Sequence, residues 1–223
     1  MTGSTTGAAA ARAGDPLAAY FARHAGSYDR QLWLERPALR AAASIAGPLD
    51  GARIVDVAAG TGALARALLD RGRRPASLTL VDSAPAMLAR AHDRVAHAPC
   101  PLVVLEGDAR ALPLPDRCAD LVGMGFLLHL LGAEDRAAVL DEARRVLATG
   151  GRLVAVAHAS PRGVAGVAHR ALWRSLRAGG GDVVGGGPMA DVGAVLEAGG
   201  LRVEAVRRIP GAYWCQAVRA RSR

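Results

Sequence analysis

The sequence contains no lysine, few aromatic residues and no long apolar run. Aromatic residues amount to 4% of the chain and hydrophobic residues to 51%, so we expect a core of alanine, valine and leucine. No apolar run approaches the ~18 to 20 residues that a transmembrane helix needs. The first 14 residues also lack the apolar centre of a secretion signal. We therefore expect a soluble, cytoplasmic protein without a membrane partner.

Cysteine is scarce and scattered. Cys100, Cys118 and Cys215 are odd in number and form neither a Cys-x-x-Cys pair nor any other metal-ligand spacing. Isolated thiols of this kind are typical of a reducing compartment, where they act as small apolar residues. The sequence therefore predicts no metal site.

The net charge of +8 reflects arginine alone, because all 28 basic residues are arginine, against 20 acidic residues. Residues 151–223 hold 11 arginines and 4 acidic residues, so the surplus lies in the C-terminal part. Net charge describes association tendencies rather than function. Neither interleaved aromatic residues nor a recognition motif accompanies the arginines, so we expect no nucleic-acid partner.

The most informative stretch is 53–69, RIVDVAAGTGALARALL. Its apolar, β-branched start predicts a buried strand of a parallel sheet. Gly60 and Gly62 follow, and from Ala63 the apolar residues recur at helical spacing. A strand, a glycine turn and a helix in this order offer a ligand close backbone approach and free N–H groups.

Asp56 indicates which ligand this turn suits. By itself, Gly60-x-Gly62-x-x-Ala65 would also suit a dinucleotide, or be a tight turn that binds nothing. A carboxylate four residues before Gly60 repels a pyrophosphate and attracts a cation. S-adenosylmethionine carries a sulfonium and an ammonium, so Asp56 favours this cofactor.

A second predicted strand, 78–81, ends in Asp82, 20 residues after Gly62. At this spacing a carboxylate at the tip of the neighbouring strand meets the two hydroxyls of a ribose bound at the first turn. The alternative is that Asp82 only stabilises the N-terminus of its own helix, which Ser83 can cap. We favour the ribose role because the two turns together form a two-part pattern.

We expect residues 1–14 to be disordered and residues 15–223 to form a single domain. Residues 15–46 predict two helices that either cap the ligand crevice or cover a face of the sheet. The first helix begins at Asp15-Pro16, and the second, 28–46, restarts at Pro37. Residues 159–187 leave the strand and helix alternation, apart from a helix at 164–177, and we expect a substrate-side insertion there.

The rest of the chain alternates regularly. Apolar runs predict strands at 102–105, 119–124 and 153–157 and helices at 135–147 and 189–198. Gly150-Gly151 is the predicted stop after the first of these helices. Runs at 201–208 and 213–219, separated by Pro210-Gly211, predict an antiparallel hairpin at the edge of the sheet.

Four ordered motifs, VDVAAGTG, LVDSAPAMLARA, EGDARALPLPDRCADLVGMGFLLHLL and RVLATGGRLVAV, resemble the class I S-adenosylmethionine-dependent methyltransferases. The resemblance covers about residues 28–157 and is greatest to the small-molecule branch that includes the quinone-biosynthesis C-methyltransferases. It implies an α/β fold, a Rossmann-like three-layer α/β/α sandwich with N-terminal cap helices. The seven-stranded sheet would have the order 3-2-1-4-5-7-6 with an antiparallel C-terminal strand.

The resemblance implies roles at the glycine turn. Asp56, Gly60 and Gly62 would hold the methionine end of S-adenosylmethionine, and Asp82 would bind its ribose. Ala58 departs from the family, which more often has glycine there, but it leaves both glycines of the turn available.

The resemblance also implies roles around the adenine and the methyl group. Met87 would pack near the adenine, Asp108 would accept a hydrogen bond from its amino group, and the Ala109 N–H would donate to the ring. Gly125 and Phe126 would face the sulfonium. The other positions that we expect to bind the cofactor are Tyr28 and Ser83.

Methyl transfer from a sulfonium is a direct displacement, so the protein mainly has to align the reactants. Some acceptors also need a base, and His129 is our candidate because it follows the fourth strand near the expected methyl group. A lone histidine in an apolar run more often has a structural role, so a structural role for His129 stays open. Further candidates are His158, His24 and Tyr28. We expect a small-molecule acceptor and a monomer or homodimer.

Two other classes of protein share part of this pattern. A protein that binds the adenosyl cofactor without transferring methyl, such as a cyclase or a pseudo-enzyme, keeps every motif. A nicotinamide-dependent oxidoreductase uses the same glycine turn but gives no reason for Asp56, nor for Gly-Asp-Ala after the third strand.

Overall fold

A computed structural model describes residues 16–178, 187–211 and 214–222, so the predicted disordered segment 1–14 lies outside the described residues. The strands are β1 (Arg53–Val57), β2 (Ser77–Asp82), β3 (Leu102–Glu106), β4 (Ala119–Gly125), β5 (Leu147–His158), β6 (Leu201–Ile209) and β7 (Cys215–Ser222). The helices are α1 (Pro16–Tyr28), α2 (Leu32–Ile45), α3 (Ala63–Leu69), α4 (Pro85–Val95), α5 (Ala133–Val146), α6 (Gly163–Ala178) and α7 (Val192–Ala198). Short 3-10 helices span Asp29–Gln31 and Leu128–Leu130.

All seven strands form one sheet in the order β3-β2-β1-β4-β5-β7-β6. Strands β1 to β5 pair in parallel, whereas β7 runs antiparallel to both β5 and β6. The predicted fold class and strand order are therefore confirmed. Since β1, β2 and β4 are parallel neighbours, their carboxyl ends lie together at one edge of the sheet.

Helices cover both faces of this sheet. Leu39 of α2, Leu68 of α3 and Leu88 of α4 pack with Ile54 in one apolar cluster. Val139 of α5 and Leu196 of α7 pack in a second cluster, with Val55 and Val57. Alternate residues of a strand face opposite sides, so Asp56 lies on the α3 face, the same face as Ile54.

Two predicted boundaries are wrong. Helix α2 runs unbroken through Pro37. The proline has no N–H to pair with the Trp33 carbonyl, but Pro37 and Trp33 lie on the exposed side of the helix, where water can bind this carbonyl. Gly150-Gly151 does not stop α5, which ends at Val146; β5 begins at the next residue because Leu147 already pairs with Ala119.

Helix α7 is also shorter than predicted. It begins at Val192 rather than at Met189, since the Asp191 carboxylate caps it by accepting from the N–H groups of Gly193 and Ala194. Met189 instead forms a bridge with Ala159. Asp15, the predicted cap of the first helix, and Tyr213, in the predicted last strand, lie outside the described residues.

Candidate cofactor and acceptor site

A cavity of ≈ 510 Å³ lies over the carboxyl ends of the parallel strands. One wall comes from the turns that follow β1, β2, β3 and β4. The opposite wall comes from α1 and α2, which supply mainly apolar side chains. Of the positions predicted to bind the cofactor, the lining includes Tyr28, Asp56, Ala58, Gly60, Asp82, Ser83, Met87, Asp108, Ala109, Gly125 and Phe126.

Asp56 lines the cavity and is otherwise sealed in the protein, with 0% of its surface exposed. One carboxylate oxygen, Oδ2, accepts from the backbone N–H of Ala65 at 3.0 Å, which fixes the side chain against the first turn of α3. The other oxygen, Oδ1, has no hydrogen-bond partner. Burial, with a contribution from Asp82, raises the pKa of Asp56 to about 7. A cation in the cavity would stabilise the ionised form.

Asp82 joins the first two turns of the sheet edge. Its Oδ2 accepts from the N–H of Gly60 at 2.8 Å, and its Oδ1 accepts from the N–H of Ala84 at 2.9 Å. Burial raises the pKa of this carboxyl, while these backbone N–H groups oppose the rise. Each oxygen keeps a lone pair for a ligand hydroxyl, so the predicted ribose role fits.

Gly62, also predicted to hold the methionine end of the cofactor, is not among the residues that line the cavity. It caps α3 with a φ of 75° in the left-handed region. A Cβ at this position would lie 3.0 Å from the Cα of Ala91, so the glycine allows the turn to pack against α4. Gly60 is different, because a Cβ there would meet nothing within 4 Å.

Two cavity residues other than glycine have left-handed backbones. Ala58 has a φ of 52° and Phe126 a φ of 58°. This conformation costs an L-residue roughly 1 to 2 kcal/mol, which explains why glycine suits the position of Ala58. Such strain is characteristic of ligand sites held by their surroundings.

Asp108 is engaged by an arginine that the sequence reasoning missed. The guanidinium of Arg110 donates to the Asp108 carboxylate at 2.7 Å and to Asp135 at 3.1 Å, and all three residues line the cavity. The Arg110 N–H also donates to Asp108. The Asp108 carboxylate is therefore held in place, with its charge partly balanced before any adenine binds. The short spacing Asp-x-Arg was the available signal.

His129, the predicted base, is buried and is not among the residues that line the cavity. Its ring stacks on His158 with centroids 4.5 Å apart, and the ring of Phe126, which lines the cavity, is 5.2 Å from that of His158. Burial and the neighbouring His158 hold the pKa of His129 well below its usual range. Burial and His169 lower the pKa of His158 to about 4. Both rings are neutral near pH 7, and the structure places neither against an acceptor.

The remaining base candidates lie on α1. The ring of His24 is exposed and its Nδ1 donates to the Tyr20 carbonyl at 2.8 Å. Tyr28, at the end of α1, lines the cavity, and its ring meets Phe21 edge to face at 5.7 Å. Tyr28 therefore belongs to the apolar wall made by the cap.

Glu35 is the main residue that the sequence reasoning missed. It projects from α2 into the cavity wall and is buried, with 5% of its surface exposed. Burial, followed by the nearby charge of Asp29, raises its pKa to about 7. The signal was available, because Glu35 falls between Leu32 and Leu39 on the apolar stripe of a helix, where a charged residue is unusual.

The cap is tied to the glycine turn by a second missed set of residues. The Thr61 hydroxyl donates to the Asp29 carboxylate at 2.8 Å, and Arg94 donates to the same carboxylate at 2.6 Å. Arg94 also donates to the Thr61 carbonyl at 2.6 Å. These bonds join the segment between α1 and α2 to the turn after β1 and to α4.

The two predicted cap segments differ in their relation to the cavity. Residues of α1 and α2 line the cavity, whereas none of the described residues of 159–178 does. Residues 179–186, the rest of the predicted substrate-side insertion, lie outside the described part of the chain.

The donor set fits S-adenosylmethionine. The buried, unsatisfied Oδ1 of Asp56 suits a cationic group, and Asp82 suits a pair of hydroxyls. Met87 and the Asp108 turn offer an apolar surface and polar groups for a flat base. A pyrophosphate would face the Asp56 carboxylate, which argues against a nicotinamide dinucleotide. When bound, the cofactor supplies an activated methyl group.

Comparisons with known proteins agree with this reading of the site. Residues 54–151 match the family described as "Methyltransferase domain". The matched residues include the turns after β1, β2, β3 and β4, so the resemblance to the class I S-adenosylmethionine-dependent methyltransferases and the cofactor predicted from the sequence are confirmed. None of the described helices is long and apolar enough to cross a membrane.

Particular relatives share this central region. A ubiquinone/menaquinone biosynthesis C-methyltransferase of Bordetella avium is 38% identical over 104 residues, 47% of this chain and 40% of that protein. A malonyl-[acyl-carrier protein] O-methyltransferase of Geobacter sulfurreducens is 40% identical over 133 residues, 59% of this chain and 48% of the relative. The matches thus span about half the length of these curated relatives.

A solved structure extends the likeness of the fold to most of the chain. It is the 1,6-didemethyltoxoflavin-N1-methyltransferase of Burkholderia thailandensis, described with its substrate and S-adenosylhomocysteine bound. The TM-score is 0.68 at 16% identity, and the match covers 92% of this chain and 87% of the other. At this identity the likeness concerns the fold alone.

Proposed function

We propose that this protein transfers a methyl group from S-adenosylmethionine to a small, largely apolar metabolite. One observation carries the proposal: a single cavity joins the polar turns of the sheet edge to the apolar wall of α1 and α2. Asp56, Asp82 and Asp108 occupy the first wall and suit the cofactor. Tyr20, Phe21 and other cap residues make the second wall, which suits an apolar acceptor.

The cavity volume supports a small acceptor. A cavity of ≈ 510 Å³ lies within the usual range of ~300 to 1,000 Å³ for small-molecule sites. The names of the relatives describe C-, O- and N-methyltransferases, two of them acting on small molecules and one on a carrier-bound malonyl group. We infer the shared reaction, direct methyl transfer, rather than any one of these acceptors.

The protein residues do three things in this reaction. Asp56 and Asp82 bind and orient the cofactor, and Gly60 leaves the backbone open beside it. The α1 and α2 wall excludes water, which strengthens the electrostatic contacts within the site. Alignment of the acceptor in this enclosed space supplies much of the rate enhancement. A cytoplasmic location and a monomeric or homodimeric state complete the proposal.

Native mass spectrometry after incubation with a small-molecule extract tests the proposal. We expect the protein to retain S-adenosylhomocysteine together with one low-mass metabolite. A matched Asp82→Ala variant should retain neither ligand at the same level. Retention of a nicotinamide dinucleotide in place of S-adenosylhomocysteine would contradict the proposal.

A further inference from the structure

Glu35 lines the cavity from α2, on the wall opposite the turns that carry the expected adenosine-binding residues. Asp82 ends β2 and Asp108 follows β3, both on one side of β1 in the sheet. Glu35 lies on the other side: a Cβ on Gly125, the last residue of β4, would lie 3.9 Å from Leu39, one turn along α2 from Glu35. Helix α2 therefore approaches the end of β4 one turn from Glu35.

The contacts of α2 with the end of the sheet agree with this location. Cys215 begins β7 opposite His158, the last residue of β5. Burial and the nearby Glu35 raise the pKa of the Cys215 thiol to about 12. Leu39, Phe126 and Cys215 also belong to one apolar cluster. Glu35 is therefore a carboxyl group in apolar surroundings beside the ends of β4, β5 and β7.

We propose that Glu35 binds the methyl acceptor and accepts the proton that its reacting O–H or N–H group gives up. This inference rests on the proposed function. The acceptor would be a small molecule with an apolar body and an ionisable hydroxyl or ammonium group, since such a group can give its proton to the carboxylate. Among the described residues, neither His129 nor His158 lines the cavity, whereas the buried Glu35 carboxyl does.

The proposed step balances. The acceptor's O–H or N–H bond breaks, and its proton goes to the Glu35 carboxylate. The electron pair left on the acceptor forms the bond to the methyl carbon, while the pair of the broken carbon–sulfur bond stays on sulfur. Glu35 then loses its proton to water when the product leaves. A base works best when its pKa lies near the working pH, and burial holds the pKa of Glu35 at about 7.

The charged and titratable groups near Glu35 in the described part of the chain come from several elements. Asp29, in the turn before α2, adds a negative charge that raises its pKa further. His158 is neutral near pH 7, and Cys215 keeps its proton. Three arginines from neighbouring elements lie toward the C-terminal end of α2; they are Arg71 after α3, Arg152 on β5 and Arg219 on β7. Arg207 of β6 is exposed, and Arg23 of α1 is exposed at the cavity wall.

Binding of naphthol, a phenol that is neutral near pH 7, tests the inference in protein saturated with S-adenosylhomocysteine. We expect calorimetry to show tighter binding above pH 7, where the Glu35 carboxylate accepts the phenol hydrogen bond. Glu35→Gln should bind naphthol about tenfold more weakly above pH 7 and lose the pH dependence. Glu35→Asp should keep a pH dependence, and Glu134→Gln, an exposed control on α5, should behave as the wild type.

The same titrations separate this inference from the proposed function. Wild type that fails to bind S-adenosylhomocysteine contradicts the proposed function itself. Equal naphthol affinity and equal pH dependence in wild type and Glu35→Gln overturn the role of Glu35, and so does an absence of naphthol binding to the loaded wild type. If Glu35→Gln does not fold, loss of the pH dependence in Glu35→Asp also overturns it.

Discussion

The Thr61 hydroxyl donates a hydrogen bond of 2.8 Å to the Asp29 carboxylate, and this bond connects the cap to the cofactor turn. Thr61 lies between the two glycines of the turn and is 1% exposed, so the bond is shielded from water on one side. The Asp29 carboxylate also accepts a hydrogen bond from Arg94 of α4. Three separate segments thus meet at one carboxylate, and the position of α1 over the cavity depends on it.

Replacing Asp29 with alanine should loosen this cap. The variant leaves the Thr61 hydroxyl and the Arg94 guanidinium without their shared acceptor, at a cost of about 1.5 to 3 kcal/mol. We expect faster amide hydrogen exchange in α1 and weaker binding of S-adenosylhomocysteine. Asp93→Ala, an exposed change beside Arg94, is the control and should exchange as the wild type. Equal exchange of α1 in both variants would show that the carboxylate does not hold the cap.

Asp82→Ala should weaken cofactor binding more than Asp108→Ala. Asp82 accepts hydrogen bonds from the Gly60 and Ala84 N–H groups and can also accept from two ligand hydroxyls. The carboxylate of Asp108, in contrast, already accepts hydrogen bonds from Arg110. We expect a loss of about 10- to 100-fold for Asp82→Ala, or roughly 1.5 to 3 kcal/mol. Calorimetry with S-adenosylhomocysteine measures both variants. An unchanged affinity for Asp82→Ala would refute its assignment to the ribose.

The contributions of Asp56 and Glu35 to the stability of the ligand-free protein should fall as the pH rises from about 4 to about 7, whereas His129 and His158, with lowered pKa values, act in the opposite direction. Burial raises the pKa of Asp56 from 3.8 to about 7 and that of Glu35 from 4.5 to about 7. In this window both carboxyls keep, in the folded protein, protons that they have lost in the unfolded chain, so their contribution to the free energy of unfolding decreases with pH. Asp56→Asn should reduce this decrease, on the order of 3 kcal/mol at most. Urea unfolding at several pH values measures the free energy of unfolding, with Asp93→Asn as the control. Identical pH dependence in wild type and Asp56→Asn would contradict the prediction.

Gly62→Ala should destabilise the fold without acting directly on the ligand. The left-handed φ of 75° and a Cβ 3.0 Å from Ala91 together should cost roughly 1 to 3 kcal/mol. Gly51→Ala is a matched control for strain alone, with a φ of 70° and nothing within 4 Å of its Cβ. Thermal unfolding compares the two variants. A loss in Gly62→Ala no greater than in Gly51→Ala would mean that the contact with α4 is unimportant.

The fold could be predicted because its signals are local. The alternation of apolar strands and amphipathic helices, with Asp56 and Asp82 at strand ends, fixes the sheet edge where the cavity lies. The packing role of Gly62 could not be predicted in the same way, because its close neighbour, Ala91, lies on another helix. The sequence shows that a glycine is present, and only the packing shows what the glycine allows.

The cap side of the site was harder to predict for the same reason. Asp29, Thr61 and Arg94 are separated by 32 and 33 residues in the sequence, and no short motif links them. Glu35 had a local signal, a charge on an apolar helical stripe, but its neighbours at the ends of β4 and β7 come from distant segments. His129 is near β4 in the sequence, but it lies in the 3-10 helix Leu128–Leu130 and its side chain is buried, so nearness along the chain does not place it on the cavity wall.

Transfer of an isotope-labelled methyl group tests the central claim most directly. The purified protein is incubated with labelled S-adenosylmethionine and a small-molecule extract, and the label is followed by mass spectrometry. We predict that the label appears in one low-mass metabolite, with S-adenosylhomocysteine formed in equal amount, and that Asp82→Ala abolishes both. Retention of all label in S-adenosylmethionine, although the protein binds it, would contradict methyl transfer and leave a cofactor-binding protein of another function.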